Sequence, residues 1–345
     1  MKVAIANFSK PIPRSLDFRA YWDHHIKPPR GKRLSLFEYK ADWGFHIYAL
    51  GVYLMDKGIA DEVEFWDFSE QRSTLYHPYG VLQVTFYNER DVKAYLLRYG
   101  LPDLYVQHGG VAGQSILRYL NNKCFTVYVP ALRHGYRIEQ LIDRLGNFRA
   151  SCYLVDSEKY LDDRSMLYIP VVNTDKIYPR DCEKKRDFIY LAANYGNKRH
   201  DLLLNAVRGT EMTGHLHPVD ASKLDLHNTR ITTSAWDAAN VVELLTTSRI
   251  AVYPGDYTSN PASMWECVAA GLPIVVNQNI KGGRHVVVPG ITGEFATENN
   301  FYETMKLVLA NLASYRPREY FMEHWETVSV LERYLAFFRK MGWRY

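Results

Sequence analysis

The chain lacks the residue patterns that mark several large protein classes. Its four cysteines, Cys124, Cys152, Cys182 and Cys267, stand far apart with no Cys-x-x-Cys pair. That spacing supplies neither a zinc site nor a disulfide framework and predicts reduced, mostly buried thiols. Apolar runs are short. None reaches the about 18 residues of a membrane span. The opening MKVAIANF reads as a strand, without the charged, apolar and cleavable parts of a leader. Charge of one sign is also scarce. A balance of 42 Lys and Arg against 38 Asp and Glu leaves +4, too little for a nucleic-acid-binding protein. One local excess, KPPRGKR at Lys27–Arg33, suits an anionic substrate or a peripheral membrane contact, and equally a solvated loop. There is no internal repeat and no low-complexity tract. The expectation is a soluble, cytoplasmic protein that does not bind nucleic acid.

What is present is alternation. The chain has 345 residues, 47% of them hydrophobic, enough for two cores. Strand-like KVAIANF, EVEFWDF, DLYVQHG, FTVYVP and SCYLVDS alternate with helical FHIYALGVYLMDKG, DVKAYLLRYG, QSILRYLNNK and IEQLIDRLGNF. The pattern pauses at Tyr168–Asp187, a stretch rich in turn formers and charge, and restarts with DFIYLAA, KRHDLLLNAVRG, AANVVELLTTS, IAVYPG, PASMWECVAAG and PIVVN. Two helical patterns, YETMKLVLANL and ETVSVLERYLAFFRKMG, follow. Alternation of this kind implies parallel strands joined by crossover helices. It predicts an α/β chain of two Rossmann-like, doubly wound domains facing a central cleft. The predicted boundaries are residues 1–172 and 173–325, with 326–345 a helix returning to the first domain. Ligands on such sheets bind beyond the carboxyl ends of the strands.

One stretch, SNPASMWECVAAGLPIVV from Ser259 to Val276, sets an acid, Glu266, inside an otherwise apolar helix. Asn260 can cap that helix, and Pro261 fits its first turn. The orphan amides of such a helix start suit a diphosphate. A carboxylate accepts through two oxygens and matches a vicinal diol such as a ribose. Alone, a helical Glu is usually a solubility residue. Here small neighbours (Ala262, Ala269, Ala270) and a glycine pair, Gly282–Gly283, after the next strand converge on a pocket.

At this point the sequence resembles the GT-B glycosyltransferases, in particular the retaining family 4. Residues Ser263–Ala296, SMWECVAAGLPIVVNQNIKGGRHVVVPGITGEFA, resemble its donor-site signature: a Glu-containing helix–strand unit, a Gly-Gly loop, then Gly-x-Thr-Gly. YIPVVNTDKIYP resembles its interdomain segment, and FIYLAANYGNKRHDLLLNA its diphosphate-binding segment. LPDLYVQHGG resembles its strand ending in a His, and EHWETVSVLERYLAFF its last helix. The likeness runs from about residue 100 onward.

The resemblance implies a retaining glycosyltransferase that moves a sugar from a nucleotide-diphosphate sugar to a hydroxyl acceptor. The acceptor would be a glycan, a lipid-linked sugar or a small molecule. The second domain would hold the donor and the first the acceptor. Glu266 would bind the ribose, Lys198 would neutralise the diphosphate, and His108 would lie beside the transferred sugar. Asn194, Arg199, Thr258, Ser259, Asn260, Gly282, Gly283 and Trp236 would line the donor site. Gly44, Trp43, Arg133 and His134 would face the acceptor. No Asp-x-Asp ends a first-domain strand, so neither a metal clamp nor a cofactor is expected. Two departures stand out. Thr258 takes the place of a second family Glu, and Ala193 the place of a diphosphate-binding Arg. They leave two alternatives open: a non-catalytic nucleotide-sugar-binding protein, and a nucleotide-sugar epimerase.

Overall fold

The structure is a computed structural model that describes residues 1–7, 48–68, 73–76, 81–86, 89–109, 114–130, 150–193, 195–235, 238–256 and 261–345. The chain forms two compact units, Met1–Val171 with Val330–Tyr345, and Val172–Ser329.

The first unit is built on β1 (Lys2–Asn7), β2 (Glu62–Phe68), β3 (Ser73–Tyr76), β4 (Val81–Phe86), β5 (Leu104–Gly109), β6 (Phe125–Pro130), β7 (Cys152–Val155) and β8 (Ser165–Leu167). They form one sheet in the order β3-β4-β2-β1-β5-β6-β7-β8, parallel except for the β3–β4 pair. The central strands are buried apolar runs, such as Val3–Ala6 and Leu104–Val106, as sheets covered on both faces require. The crossovers include α1 (Tyr48–Asp56), α2 (Glu89–Tyr99) and α3 (Gln114–Leu120). Val92, Leu96, Ile116, Leu117 and Leu120 of α2 and α3 join Trp66, Tyr105 and Tyr128 of the sheet in one core. The order reverses between β1 and β5, where Asn7 stands beside His108.

The second unit carries β9 (Arg186–Leu191), β10 (Thr213–His217), β11 (Arg230–Thr233), β12 (Ser248–Tyr253), β13 (Ile274–Asn277) and β14 (Gly293–Ala296). They form an all-parallel sheet in the order β11-β10-β9-β12-β13-β14. Its helices are α4 (His200–Val207), α5 (Ala238–Thr246), α6 (Ala262–Ala269), α7 (Phe301–Ala310) and α8 (Pro317–His324). The order reverses between β9 and β12, the crevice where such sheets take ligands. A last helix, α9 (Thr327–Lys340), brings Tyr334 to the first unit, where its hydroxyl donates to the Ile169 carbonyl at 3.0 Å.

Polar side chains build part of the second sheet. In β10 only Leu216 is a large aliphatic residue, yet His215 and His217 are buried. His215 is held between Thr232 Oγ1 at 2.7 Å and Ser234 Oγ at 2.8 Å, and His217 Nδ1 shares that serine at 2.8 Å. Burial first, then the charge of Arg186 and the neighbouring His217, pull His215 down to about 4, so it is neutral at pH 7. The cysteines are free; Cys152 and Cys267 are buried, Cys124 is half-buried and Cys182 is exposed.

Candidate functional site

Glu266 sits in the fifth position of α6, whose residues from Ser263 to Ala269 are all buried. Pro261 occupies the cap position, so the helix begins one residue later than the proline-at-first-turn reading placed it. Ser263 Oγ donates to the Leu191 carbonyl at 3.1 Å and ties the first turn of α6 to the carboxyl end of β9. At the other end Gly271 turns with φ 83°, and Arg318 Nη1 donates to the Ala269 carbonyl at 2.8 Å. The helix therefore cannot slide. The Glu266 side chain is 3% exposed, and its Oε2 has no hydrogen-bond partner among the described residues. Burial pushes the carboxyl up to about 8. An unsatisfied buried carboxylate is costly, and a helix core of apolar residues would hold the fold without it.

Lys198 lies in the turn after β9, at the end of a single 3-10 turn, Gly196–Lys198. The hydroxyl of buried Tyr190 donates to the Lys198 carbonyl at 2.7 Å and fixes the turn. The half-buried Lys198 ammonium forms no ion pair among the described residues, and burial pulls it down to about 8. Next to it, His200 packs on Tyr190 with ring centres 5.0 Å apart. Burial, with the Lys198 charge adding to it, lowers His200, so the ring stays neutral.

Arg199 differs from its neighbour. Its backbone is left-handed, with φ 50°. Its guanidinium donates to both oxygens of Glu298 at 2.9 and 3.3 Å, reaches Asp201 at 3.4 Å and lies 3.7 Å from Asp256. The Glu298 hydrogen bond is the main cause that raises it. Arg199 thus ties the turn after β9 to the segments after β12 and β14.

The segment after β13 completes this edge. Asn277 Nδ2 donates to the Pro254 carbonyl at 2.8 Å. Gly283 then takes φ 73°, a left-handed conformation that glycine adopts freely, and opens the 3-10 turn Arg284–Val286. In the Gly-x-Thr-Gly motif, Thr292 Oγ1 donates to the Val286 carbonyl and accepts from Val288 N, both at 2.7 Å. A Cβ on Gly293 would lie 1.9 Å from the Ile274 carbonyl oxygen. That motif shapes the loop and the β13–β14 pairing.

No family model matches the chain, and no curated protein matches it in sequence. Solved structures do match over its whole length. Sucrose-phosphate synthase from Thermosynechococcus elongatus superposes with a TM-score of 0.69 at 15% identity, covering 99% of this chain and 98% of that one. The lipopolysaccharide outer core galactosyltransferase WaaB, in its apo form, gives 0.66 at 13% identity, with 99% of both chains covered. Anabaena HepE in complex with UDP and glucose gives 0.65 at 11% identity, covering 99% and 100%. The chain has the GT-B fold.

In this GT-B chain the second unit brings Lys198, Arg199, Gly282 and Gly283 to the carboxyl edge of one sheet, with Glu266 in the helix that starts there. His108 lies in the first unit, half-buried at the carboxyl end of β5, its ring 6.0 Å from that of Tyr168. Asn194, Thr258, Ser259, Asn260, Trp236, Gly44, Trp43, Arg133, His134 and the Lys27–Arg33 cluster lie outside the described residues. Among the described residues, no three His, Cys, Asp or Glu side chains gather as a metal site, and no helix is long and apolar enough to cross a membrane. The neighbouring Ser234 main chain is already engaged, its N–H donating to Leu216 and its carbonyl accepting from Val219. Sequence reasoning passed over three residues that fix the site: Ser263, Tyr190 and Arg318. Each acts by bonding a main-chain carbonyl, eight residues on for Tyr190 and distant in sequence for Ser263 and Arg318, which no local pattern announces.

Proposed function

We propose that the protein is a retaining, metal-independent glycosyltransferase that moves a sugar from a nucleotide-diphosphate sugar to a hydroxyl acceptor. The observation that carries this reading is the buried Oε2 of Glu266, without a partner among the described residues, in the helix that starts at the sheet's reversal point. Two ribose hydroxyls donating to that carboxylate would satisfy it. Lys198, without an acidic partner among the described residues, would meet the diphosphate. Breaking the sugar–phosphate bond builds charge on that diphosphate, which a desolvated ammonium and helix amides stabilise. In the front-face course of retaining transfer, the leaving phosphate takes the acceptor proton, and no protein nucleophile is required. His108 then positions the sugar. UDP–glucose and glucose complexes of HepE support a nucleotide-sugar donor, and a glycan acceptor is the simplest partner for this fold.

One observation favours a second reading. Arg199, a cation that could replace the missing Arg at Ala193, is bound to Glu298 and Asp201. A chain short of one phosphate-binding charge would fit a nucleotide-sugar-binding protein. Hydrolysis and transfer measured on UDP-, GDP- and dTDP-sugars, alongside calorimetric binding, decide between them. Binding with turnover is expected. Binding without turnover on any acceptor selects the second reading, and no binding of any nucleotide removes both.

A further inference from the structure

The carboxyl edge of the first unit's sheet faces one way, and its amino edge carries a different chemistry. α2 and α3 end at the amino edge, because each is followed after a few residues by the start of β5 and β6. α9 ends there too. Phe125, the first residue of β6, packs on Phe338 at 6.0 Å and on Trp343 at 6.4 Å. Tyr128, three residues on, belongs to the core with α2 and α3, so α9 covers the opposite face of the sheet. α1 ends there as well, a few residues before the start of β2, so four helix ends converge on one rim from both faces.

That rim is apolar where a soluble surface would be polar. Leu97 is 80% exposed, Tyr99 54%, Leu101 41% and Tyr345 55%. Scattered exposed hydrophobics mean little, but a cluster marks a contact surface. The same rim carries the exposed cations Arg98, Lys123, Arg339, Lys340 and Arg344. Three of its carboxylates are engaged: Asp61 by the Met1 amine, Glu62 by Lys2 Nζ and Asp103 by the Lys2 amide; exposed Asp56 lies at the same edge. On α2 the charges of Glu89, Arg90, Asp91 and Lys93 at the far end cancel, and Arg98 alone stands at the rim.

We propose that this rim docks on an anionic phospholipid surface. Exposed leucines and tyrosines enter the headgroup region, and lysines and arginines meet lipid phosphates. A second copy of the chain fits poorly, since a two-fold contact would set the five cations against their own kind. A nucleic acid would meet the cations but leave Leu97 and Leu101 without a partner.

The test is co-sedimentation of the full chain with vesicles of phosphatidylcholine alone and of phosphatidylcholine mixed with phosphatidylglycerol. Binding is expected to the mixed vesicles only, weakening with salt. Arg98→Glu, Lys123→Glu and Arg344→Glu should each lower it about fivefold or more, and Leu97→Ser with Leu101→Ser about tenfold. All these side chains are exposed, so melting followed by circular dichroism should be unchanged. Absence of binding to mixed vesicles, equal binding to both vesicle types, or full binding by both sets of variants overturns the proposal. So does a dimer in light scattering that the Leu97→Ser, Leu101→Ser variant dissolves, which would assign the rim to a second copy.

Discussion

Each unit holds a buried glutamate and a half-buried lysine, and the two pairs behave in opposite ways. Glu64, on β2, is fully buried and accepts from Trp66 Nε1 at 2.7 Å, Tyr95 OH at 2.8 Å and Lys2 Nζ at 2.7 Å. Burial raises its carboxyl, and the three donors offset part of that rise. Burial works against the charge of Lys2, but Glu64 and Glu62 outweigh it and raise the ammonium. In the second unit Glu266 and Lys198 are each displaced toward the neutral form by burial alone. Neither neutralises the other. One buried glutamate is satisfied three times over and holds the sheet; the other has an oxygen without a partner among the described residues.

The comparison breaks most visibly at Glu64. Glu64→Ala leaves Lys2 with Glu62 alone and strands two buried hydrogen-bond donors, and should cost about 3–5 kcal/mol in urea unfolding of the first unit, while nucleotide affinity per folded molecule stays unchanged. Glu266→Gln should do the reverse. The folded carboxyl is raised above its unfolded value, so its stability contribution is full below about pH 4.5 and is lost as pH rises through about 8. Removing it should raise the melting temperature at pH 8 and leave it nearly unchanged at pH 5. The same variant should lose about 1–3 kcal/mol of nucleotide-sugar affinity. Equal melting of wild type and variant at pH 8 would contradict a bare carboxylate.

Lys198→Met sharpens the contrast from the cationic side. It should weaken nucleotide-sugar binding by about 1–3 kcal/mol, with little loss of stability because the ammonium has no ion-pair partner among the described residues to abandon. A smaller but diagnostic effect is the pH profile of binding in the wild type, followed by calorimetry with a nucleotide sugar, whose diphosphate does not titrate near neutrality. Affinity needs Glu266 ionised and Lys198 charged, and both titrate at about 8. Affinity should rise with pH below 8, by up to about tenfold per pH unit, and fall above it. Glu266→Gln should abolish the rising limb alone. A flat profile would remove one or both groups from the site. The smallest change is expected at Arg199→Gln. Its ion pairs with Glu298 and Asp256 are largely exposed, so stability should fall by less than about 1 kcal/mol; a collapse of binding instead would show that the guanidinium moves to the diphosphate.

Much of this was legible in the chain. The apolar strands β1, β2, β5, β6, β9, β12 and β13, the α6 helix with its acid, and the glycines at 282 and 283 follow from periodicity and turn chemistry. Other elements were silent. The β3–β4 hairpin, the short β8, and β10, β11 and β14 lack a long apolar run. In β10 the core contacts are made by His215 and His217, whose burial is tolerable only because Thr232 and Ser234 supply partners. Such pairing depends on which strand lies alongside, and no local rule reports it.

The sequence by itself determined the doubly wound alternation and the residue types of the site, since both rest on short-range periodicity and local turn preferences. Only the tertiary structure decided which of those residues are already satisfied. Arg199 and Lys198 are adjacent in the chain, yet one is bound to carboxylates from distant segments and the other has none among the described residues. Charge pairing and desolvation depend on what surrounds a side chain in space, and that environment is assembled by contacts far apart in sequence.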